Sequence, residues 1–181
     1  MFAARTYANA FDRVRKCTFR RNVRREVYWA RRMENPLTLM VISVDDIDEL
    51  ARSYGEVACQ FAQRRVSQRI YSQLRSTDYI AHVSPGHFTL LLPHCNEPQA
   101  HEAAERVRSD IENFSIDDGQ GASLYVTLSS GLVVWDPQLL PIESTDQLVN
   151  QMETKAEAAL HRAVREGGNT VSVGRLGALI L

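Results

Sequence analysis

One helix end, two strands and a turn are encoded in fourteen consecutive residues, Arg75-Ser-Thr-Asp-Tyr-Ile-Ala-His-Val-Ser-Pro-Gly-His-Phe88. The runs 79–83 and 87–92 are rich in residues that favour strands, and Ser84-Pro85-Gly86 separates them. Proline followed by glycine suits the two central positions of a type II turn, because the second position requires a positive φ. The pattern predicts a β-hairpin, and the other elements of the chain can be placed around it.

Arg75 and Asp78 directly precede the first strand of this hairpin. They are three residues apart where a helix is expected to end, so their side chains emerge on the same side of the chain. A guanidinium offers a planar fork of donors and a carboxylate offers acceptors, so the pair can bind the polar edge of a ligand. The alternative interpretation is structural: a local ion pair at the surface, which contributes little to stability.

The composition is that of one soluble globular domain. The chain has 181 residues, of which 44% are apolar and 24% charged. No apolar run approaches the roughly 20 residues that span a bilayer, and the N-terminus lacks an apolar signal core, so we expect a cytoplasmic location. Cys17, Cys59 and Cys95 are odd in number and show no metal-ligand spacing, so we expect reduced cysteines and no zinc.

The charge is distributed unevenly along the chain. Residues 1–32 contain ten Arg or Lys against two acidic residues, a net charge of +8 that leaves −9 for the rest. Such a segment can contact nucleic acid, anionic lipid or an acidic partner. The interpretation we favour is a helix that docks on the protein's own acidic surface. Its aromatic residues have helical spacing, for which we expect packing rather than stacking on bases; they are Phe11, Phe19, Tyr28 and Trp29.

The periodicity of apolar residues predicts the remaining elements. The first half of the chain contains helices 3–14 and 20–33, a buried strand 37–44, a helical turn 46–53 and a helix from Ala58 to Leu74 with Phe61 in its apolar stripe. After the hairpin, Asn96 opens a helix, and a strand 124–135 follows that is broken at Ser129-Ser130-Gly131. The last two elements are a helix capped by Ser144 and ended by Gly167-Gly168, and an edge strand 170–173. No linker divides the chain, so we predict one α/β domain (an α+β sandwich) with a mixed sheet flanked by helices.

Five motifs follow one another at compatible spacing. They are Asp12 with Arg20-Arg21, the strand 37–44 with Asp45 and Gly55, Arg75-Ser-Thr-Asp78 followed by the turn and Phe88, Thr127-Leu-Ser-Ser-Gly131, and residues 156–169. In this order they resemble the GGDEF domain of diguanylate cyclases over residues 12 to about 173. The resemblance implies a nucleotidyl-cyclase-like fold with a central mixed, mainly antiparallel five-stranded sheet. It also implies three parts: an N-terminal helix stub (1–11), a degenerate GGDEF domain (12–173) and a C-terminal tail (174–181).

The chain departs from this family at the positions that carry the chemistry. In an active cyclase, two glycines of the signature approach the phosphates and two carboxylates hold the metal ions. The corresponding positions here are Ser43, Ala51, Gln60, Ser84, Pro85, Gly86 and His87, with Val164 and Gly168 in place of phosphate-binding residues. Without two carboxylates a site cannot hold divalent cations on a triphosphate, so we predict no metal, no cofactor and no cyclase activity. A two-residue slip that uses Asp45, Asp46 or Asp48 instead would displace Gly55, and we do not favour it.

The R-x-x-D motif at Arg75 and Asp78 is intact. In this family it forms the inhibitory product site for cyclic di-GMP, in which a carboxylate accepts from guanine N1 and N2 and a guanidinium binds O6 and N7. The family site often adds an arginine 31 residues beyond the first, which is Arg106 here. Arg108 lies about 200° further around the helix and is the poorer candidate. The resemblance therefore predicts an effector or receptor of a bacterial second messenger.

Other functions remain open at this point. The domain can be a protein-protein interaction or dimerisation module that needs no nucleotide, or a homodimer bridged by intercalated cyclic di-GMP. A pocket that senses GTP without turnover and a nucleic-acid contact through the basic segment are less favoured. Because eleven residues precede Asp12, we expect no attached sensor domain, so that regulation comes from a ligand, a separate protein or an oligomer.

Overall fold

The computed structural model describes residues 16–117, 123–140 and 144–177, and the structural statements below refer to these residues. The predicted helix over 3–14 lies outside them. The helices are α1 (Lys16–Met33), α2 (Ile47–Ser72), α3 (Glu97–Glu112) and α4 (Thr145–Arg165). The strands are β1 (Leu37–Val44), β2 (Tyr79–Ser84), β3 (His87–Pro93), β4 (Ile116–Asp117), β5 (Ser123–Leu124), β6 (Leu128–Trp135) and β7 (Val171–Gly174).

Five of the strands form one mixed sheet in the order β2-β3-β1-β6-β7. The central strand β1 is antiparallel to both β3 and β6, whereas β7 pairs parallel to β6 at the edge. All eight residues of β1 are buried, as expected for a strand that is covered on both faces. The predicted mixed, mainly antiparallel five-stranded sheet flanked by helices is confirmed. The short strands β4 and β5 pair separately from it.

Helices cover both faces of the sheet and create two apolar cores. Alternate side chains of β1 point to opposite faces. Met40 and Ile42 pack with α2 and α3, and Leu39 and Val41 pack with α1 and α4. The helices α2 and α3 therefore lie on one side of the sheet and α1 and α4 on the other. None of the helices in the described ranges is long and apolar enough to cross a membrane.

Strand β6 corrects one prediction, because it runs without a break through Ser129-Ser130-Gly131. These small residues let α4 approach the strand. A Cβ added to Gly131 would lie 2.2 Å from both the carbonyl oxygen of Ala156 and the backbone nitrogen of Leu160. Close approach of another backbone, and not the end of a strand, therefore explains the glycine. The interruption falls at 125–127 instead.

Helix α2 joins the two segments that the sequence predicts separately. Gly55, with φ +83° and ψ +163°, interrupts its helical geometry between them. Ala62, Val66 and Ile70 are buried as expected. Phe61 is 38% exposed, so its predicted place in the core is wrong.

The predicted turns and helix ends are found. Gly86 has a φ of +72°, as a type II turn requires at that position. Asn96 and Gln99 cap α3 reciprocally, and the Ser144 hydroxyl accepts from the N–H of Gln147 at the start of α4. Gly167, followed by Gly168, has a positive φ where α4 ends.

Candidate functional site

The turn from Arg75 to Asp78 is closed by two hydrogen bonds between its end residues. The N–H of Asp78 donates to the carbonyl oxygen of Arg75 at 3.1 Å, and the N–H of Arg75 donates to Oδ2 of Asp78 at 2.8 Å. The Asp78 carboxylate is therefore held by the backbone. Within the described residues the Arg75 guanidinium forms no hydrogen bond or salt bridge, so the surface ion pair of the structural alternative is not formed.

Arg106 joins this pair from α3. A small cleft of about 20 Å³ between the end of α2, the hairpin and α3 is lined by Arg75, Asp78 and Arg106. Arg75 and Arg106 are exposed and Asp78 is half-buried. Apolar side chains form much of the remaining wall: Met40, Leu74, Leu90, Leu92 and Val107. The three predicted ligand-binding residues therefore lie around one depression, with two cations and one anion facing an apolar wall.

The electrostatics of this cleft are dominated by burial of the carboxylate. Burial raises the pKa of Asp78 above its usual value. The hydrogen bond from the Arg75 backbone and the positive charges of Arg75 and Arg106 lower the pKa, but they do not cancel the effect of burial. A carboxylate in this state gains from a ligand that brings further donors to it.

Arg108 lies on the same helix but is engaged elsewhere. Its guanidinium donates to Glu105 and Glu112, each at 2.9 Å, and to Oδ1 of Asn169 at 2.7 Å. These contacts tie α3 to the loop after α4. The choice of Arg106 over Arg108 as the arginine of the cleft therefore agrees with the geometry.

The hairpin turn and the end of β1 bring together the residues that replace the expected carboxylates. Ser43 lies opposite His87 in the strand register. Its Oγ is 3.2 Å from His87 Nε2, and His87 Nδ1 is 3.1 Å from the carbonyl oxygen of Pro85. The carbonyl oxygen of Gly86 accepts from the N–H of Val44 at 2.8 Å. A hydrogen-bonded Ser-His contact thus occupies this position.

The other positions assigned to nucleotide binding carry no suitable group either. Ala51 packs against the core, Gln60 donates to Glu56 at 3.1 Å, Val164 is 47% exposed, and Ser84 is exposed at the end of β2. Gly168 lies against a carboxylate: a Cβ added there would be 3.2 Å from Cγ of Asp45. No phosphate-binding cation stands at these positions.

The carboxylate of Asp45, which directly follows β1, is occupied by three hydrogen bonds. It accepts from the hydroxyls of Thr127 at 2.7 Å and Ser129 at 2.6 Å, and from the N–H of Asn169 at 2.9 Å. Asp45 therefore connects β1, the start of β6 and the loop after α4.

Acidic side chains line the groove beside this position. Asp46, Asp48 and Glu49 face it, and Arg52 is the cation that lines it. Within the described residues, no group of three or more His, Cys, Asp or Glu is arranged to hold a metal ion. The sequence shows that acidic residues are concentrated here, but it does not show that they line one groove.

Helix α1 docks on the rest of the domain through part of its basic surface. Arg20 forms a salt bridge of 3.2 Å with Glu153 and Arg24 one of 2.6 Å with Asp146, both on α4. Such docking is what the favoured interpretation of the basic segment expects. Phe19 is buried, but Tyr28 and Trp29 are 57% and 48% exposed. Phe19 therefore packs in the core, whereas Tyr28 and Trp29 pack edge-to-face on each other at the surface.

Tyr79 connects α1 to the strand that follows the cleft, a role for which the sequence offers no signal. Its hydroxyl accepts from the Arg25 guanidinium at 2.7 Å and donates to Glu26 at 2.8 Å. Burial and the bond to Glu26 raise the pKa of Tyr79. Since Asp78 is the adjacent residue, α1 is joined to the cleft through one peptide unit.

Comparison with known proteins places this geometry in a family. The family model described as "Diguanylate cyclase, GGDEF domain" matches residues 15–170. Diguanylate cyclase DosC of Escherichia coli K12 is 28% identical over 150 residues, which are 83% of this chain and 31% of DosC. Diguanylate cyclase A of Treponema denticola is 26% identical over 139 residues, 77% of this chain and 35% of that protein. The chain thus spans about a third of the length of these relatives.

Solved structures show the same fold. The GGDEF domain of DgcB from Caulobacter crescentus, in complex with cyclic di-GMP, has a TM-score of 0.76 at 19% identity and covers 87% of this chain and 89% of that one. The GGDEF domain of YfiN from Pseudomonas aeruginosa has a TM-score of 0.78 at 20% identity, covering 90% and 96%. The family model spans most of the chain, and the chain belongs to the GGDEF domain family of diguanylate cyclases.

Proposed function

We propose that this chain is a non-catalytic GGDEF domain, within residues 12–173, that binds cyclic di-GMP at Arg75, Asp78 and Arg106 and acts as an effector in second-messenger signalling. The observation that carries the proposal is the cleft in which two exposed guanidinium groups flank a backbone-held carboxylate. The solved complex of the DgcB domain with cyclic di-GMP supports the choice of ligand class.

The groups in the cleft suit a guanine base. The carboxylate of Asp78 has acceptor capacity left beyond its bond to the Arg75 backbone, and guanine N1–H and N2–H₂ are donors. An arginine can bind O6 and N7 with two parallel bonds or stack on the base. With two arginines available, one can bind the base edge while the other binds a phosphate or a second base.

The absence of catalysis is proposed from the chemistry of the nucleotide groove. Neither Ser43 nor Gly86 provides a carboxylate for a divalent cation, and Asp45 already accepts three hydrogen bonds. The groove is lined by Asp46, Asp48 and Glu49, which would repel a triphosphate.

Calorimetric titration tests the ligand. Cyclic di-GMP is expected to bind the natural chain, and Arg75→Ala, Asp78→Ala and Arg106→Ala are expected to weaken or abolish binding. Arg64→Ala is the matched control, because Arg64 is exposed on α2 outside the cleft. Absence of heat at high micromolar ligand, or equal binding by the cleft variants, would refute the effector function.

Incubation with GTP and magnesium tests the absence of catalysis separately. No cyclic di-GMP is expected above the level of a protein-free sample. Product formation by the natural chain would overturn the non-catalytic part of the proposal while leaving the ligand cleft untouched.

A second candidate function is a protein-protein interaction or dimerisation module that needs no nucleotide. The observation that favours it is the exposed aromatic pair of α1, Tyr28 and Trp29, whose ring centroids lie 5.6 Å apart. In this case a partner or a homodimer forms equally with and without cyclic di-GMP.

A further inference from the structure

The outward face of α1 combines positive charge with exposed rings. Phe19, Val23 and Val27 point into the core, and at about 100° per residue the opposite side and both flanks of the helix carry a different set. We call this set the basic patch; it consists of Arg21, Tyr28, Trp29, Arg31 and Arg32, all exposed.

The charges of the three arginines in the basic patch are not neutralised by other described residues. Arg20 and Arg24 are neutralised by α4, and Arg25 bonds to Tyr79 and Glu26. Among the described residues, Arg21, Arg31 and Arg32 have no salt bridge. Unpaired charge beside half-exposed rings is typical of an interaction surface.

A complementary surface lies at the start of α2. We call it the acidic patch; it consists of Asp46, Asp48, Glu49, Tyr54 and Tyr125. Its three carboxylates form no salt bridge within the described ranges, and Tyr54 and Tyr125 are 55% and 65% exposed. The groove between Glu49, Tyr54 and Tyr125 is open to solvent and has a volume of about 450 Å³.

The two patches cannot meet within one chain. The basic patch is on α1, which packs on one face of the sheet, and the acidic patch is on α2 and the loop before β6, on the side of the other core. Within the described residues, the charges of the two patches therefore cannot pair with each other in one copy.

We infer that the basic patch of one copy docks into the acidic patch of a second copy. Arginine pairs well with carboxylates and stacks on tyrosine, and both partners are available in the groove. The charges of the chain nearly cancel, to −1, while residues 1–32 carry +8 and the rest −9. A second copy supplies the carboxylates and rings that match the basic patch, whereas a bilayer or a polynucleotide would leave the acidic patch unpaired.

Such an interface is heterologous, because different patches of the two copies meet. The assembly then retains one free acidic patch at one end and one free basic patch at the other. Head-to-tail contacts of this type build rings or open chains instead of closed two-fold dimers. The contact uses neither Arg75 nor Asp78, so it is independent of cyclic di-GMP binding.

Light scattering of two charge-reversal variants tests this arrangement. The basic-patch variant is Arg21→Glu/Arg31→Glu/Arg32→Glu, and the acidic-patch variant is Asp48→Lys/Glu49→Lys. The natural chain is expected to grow in mass with concentration at low salt and to return to 20.5 kDa at high salt. Each variant alone is expected to stay at the mass of one chain. In an equimolar mixture the intact patches are complementary to each other, and so are the two reversed patches, so the mass is expected to grow with concentration again.

Circular dichroism verifies that both variants are folded, and Arg64→Glu is the matched control for a reversed charge outside both patches. Arg75→Ala is expected to assemble like the natural chain, which separates this result from the ligand proposal. A natural chain that stays monomeric, a variant that still assembles alone, or a mixture that stays monomeric would overturn the inference. Binding to phosphatidylserine vesicles or to an oligonucleotide without self-association would overturn it as well.

Discussion

The carboxylate of Asp78 accepts a hydrogen bond of 2.8 Å from the backbone N–H of Arg75, while the guanidinium of Arg75 remains exposed. The turn therefore orients both side chains without pairing them with each other. Because the two side chains are not paired with each other, both are available to a ligand. A substitution can therefore remove the charge of Asp78 and keep the hydrogen bond that closes the turn.

Asp78→Asn is expected to abolish cyclic di-GMP binding without loss of stability. The amide oxygen can still accept from the Arg75 N–H, but its NH₂ group faces the guanine donors. Because burial raises the pKa of Asp78, the folded state binds the proton more tightly than the unfolded state. The ionised group is then a net cost above the folded pKa, and the neutral amide avoids it.

Thermal unfolding at neutral pH measures the stability of Asp78→Asn, and calorimetric titration measures its binding of cyclic di-GMP. The melting temperature is expected to equal or exceed that of the natural chain, and Asp78→Ala, which loses the acceptor, provides the comparison. A marked drop in melting temperature for Asp78→Asn would show that the charge itself is structural.

The affinity for cyclic di-GMP is expected to fall on acidification, beginning at a higher pH than for an ordinary aspartate. The raised pKa of Asp78 means that its carboxylate takes up a proton before other carboxylates do, and the protonated group loses acceptor capacity for guanine. Titrations over a series of pH values measure the midpoint. Arg106 lowers the pKa of Asp78, so Arg106→Ala is expected to move the midpoint upward as well as to weaken binding. A midpoint unaffected by this variant would contradict the assignment.

The fold was predictable where local chemistry and core periodicity agree. The hairpin with Gly86, the buried strand β1 and the cap at Ser144 follow from turn geometry, continuous apolar residues and a side-chain acceptor at the helix start. The predicted break at Gly131 failed because a glycine that admits a helix backbone looks the same in sequence as one that ends a strand. Phe61 is exposed because it lies one residue, about 100°, around α2 from the buried Ala62, outside the narrow stripe that Ala62, Val66 and Ile70 form.

Only three residues of the candidate site could be predicted from the sequence. Arg75, Asp78 and Arg106 have positions set by the family pattern, and the structure groups them around one cleft. The contact of Tyr79 with Arg25 joins residues 54 positions apart and depends on how α1 packs, which no local pattern reveals. The engagement of Asp45 by three donors is likewise a property of the assembled sheet.

Tyr79→Phe is expected to loosen α1 from the sheet. The substitution removes the hydroxyl that bonds to Arg25 and Glu26 and leaves the ring in place. Loss of two partly exposed hydrogen bonds is expected to lower the free energy of unfolding by about 1 kcal/mol. Denaturant titration measures this change, and Tyr125→Phe, at an exposed ring, is the matched control. Faster hydrogen exchange of the α1 amides alone would place the effect in α1. An equal increase in the exchange rate of all amides in the domain would contradict this expectation.

Asp45→Ala is expected to be the most damaging single change among the exposed or half-buried acidic residues near the groove. It removes the shared acceptor of Thr127, Ser129 and the Asn169 N–H, so three donors from two further segments lose their partner. The expected loss in free energy of unfolding is about 3 kcal/mol, since hydrogen bonds to charged groups are the strong ones and Ser129 is buried. Asp48→Ala is the control, because its exposed carboxylate has no such bonds. If both variants lost the same small amount in a denaturant titration, Asp45 would not be the connection between β1, β6 and the loop after α4. If Asp45→Ala alone lost stability while cyclic di-GMP still bound, the groove would be established as a structural element separate from the ligand cleft.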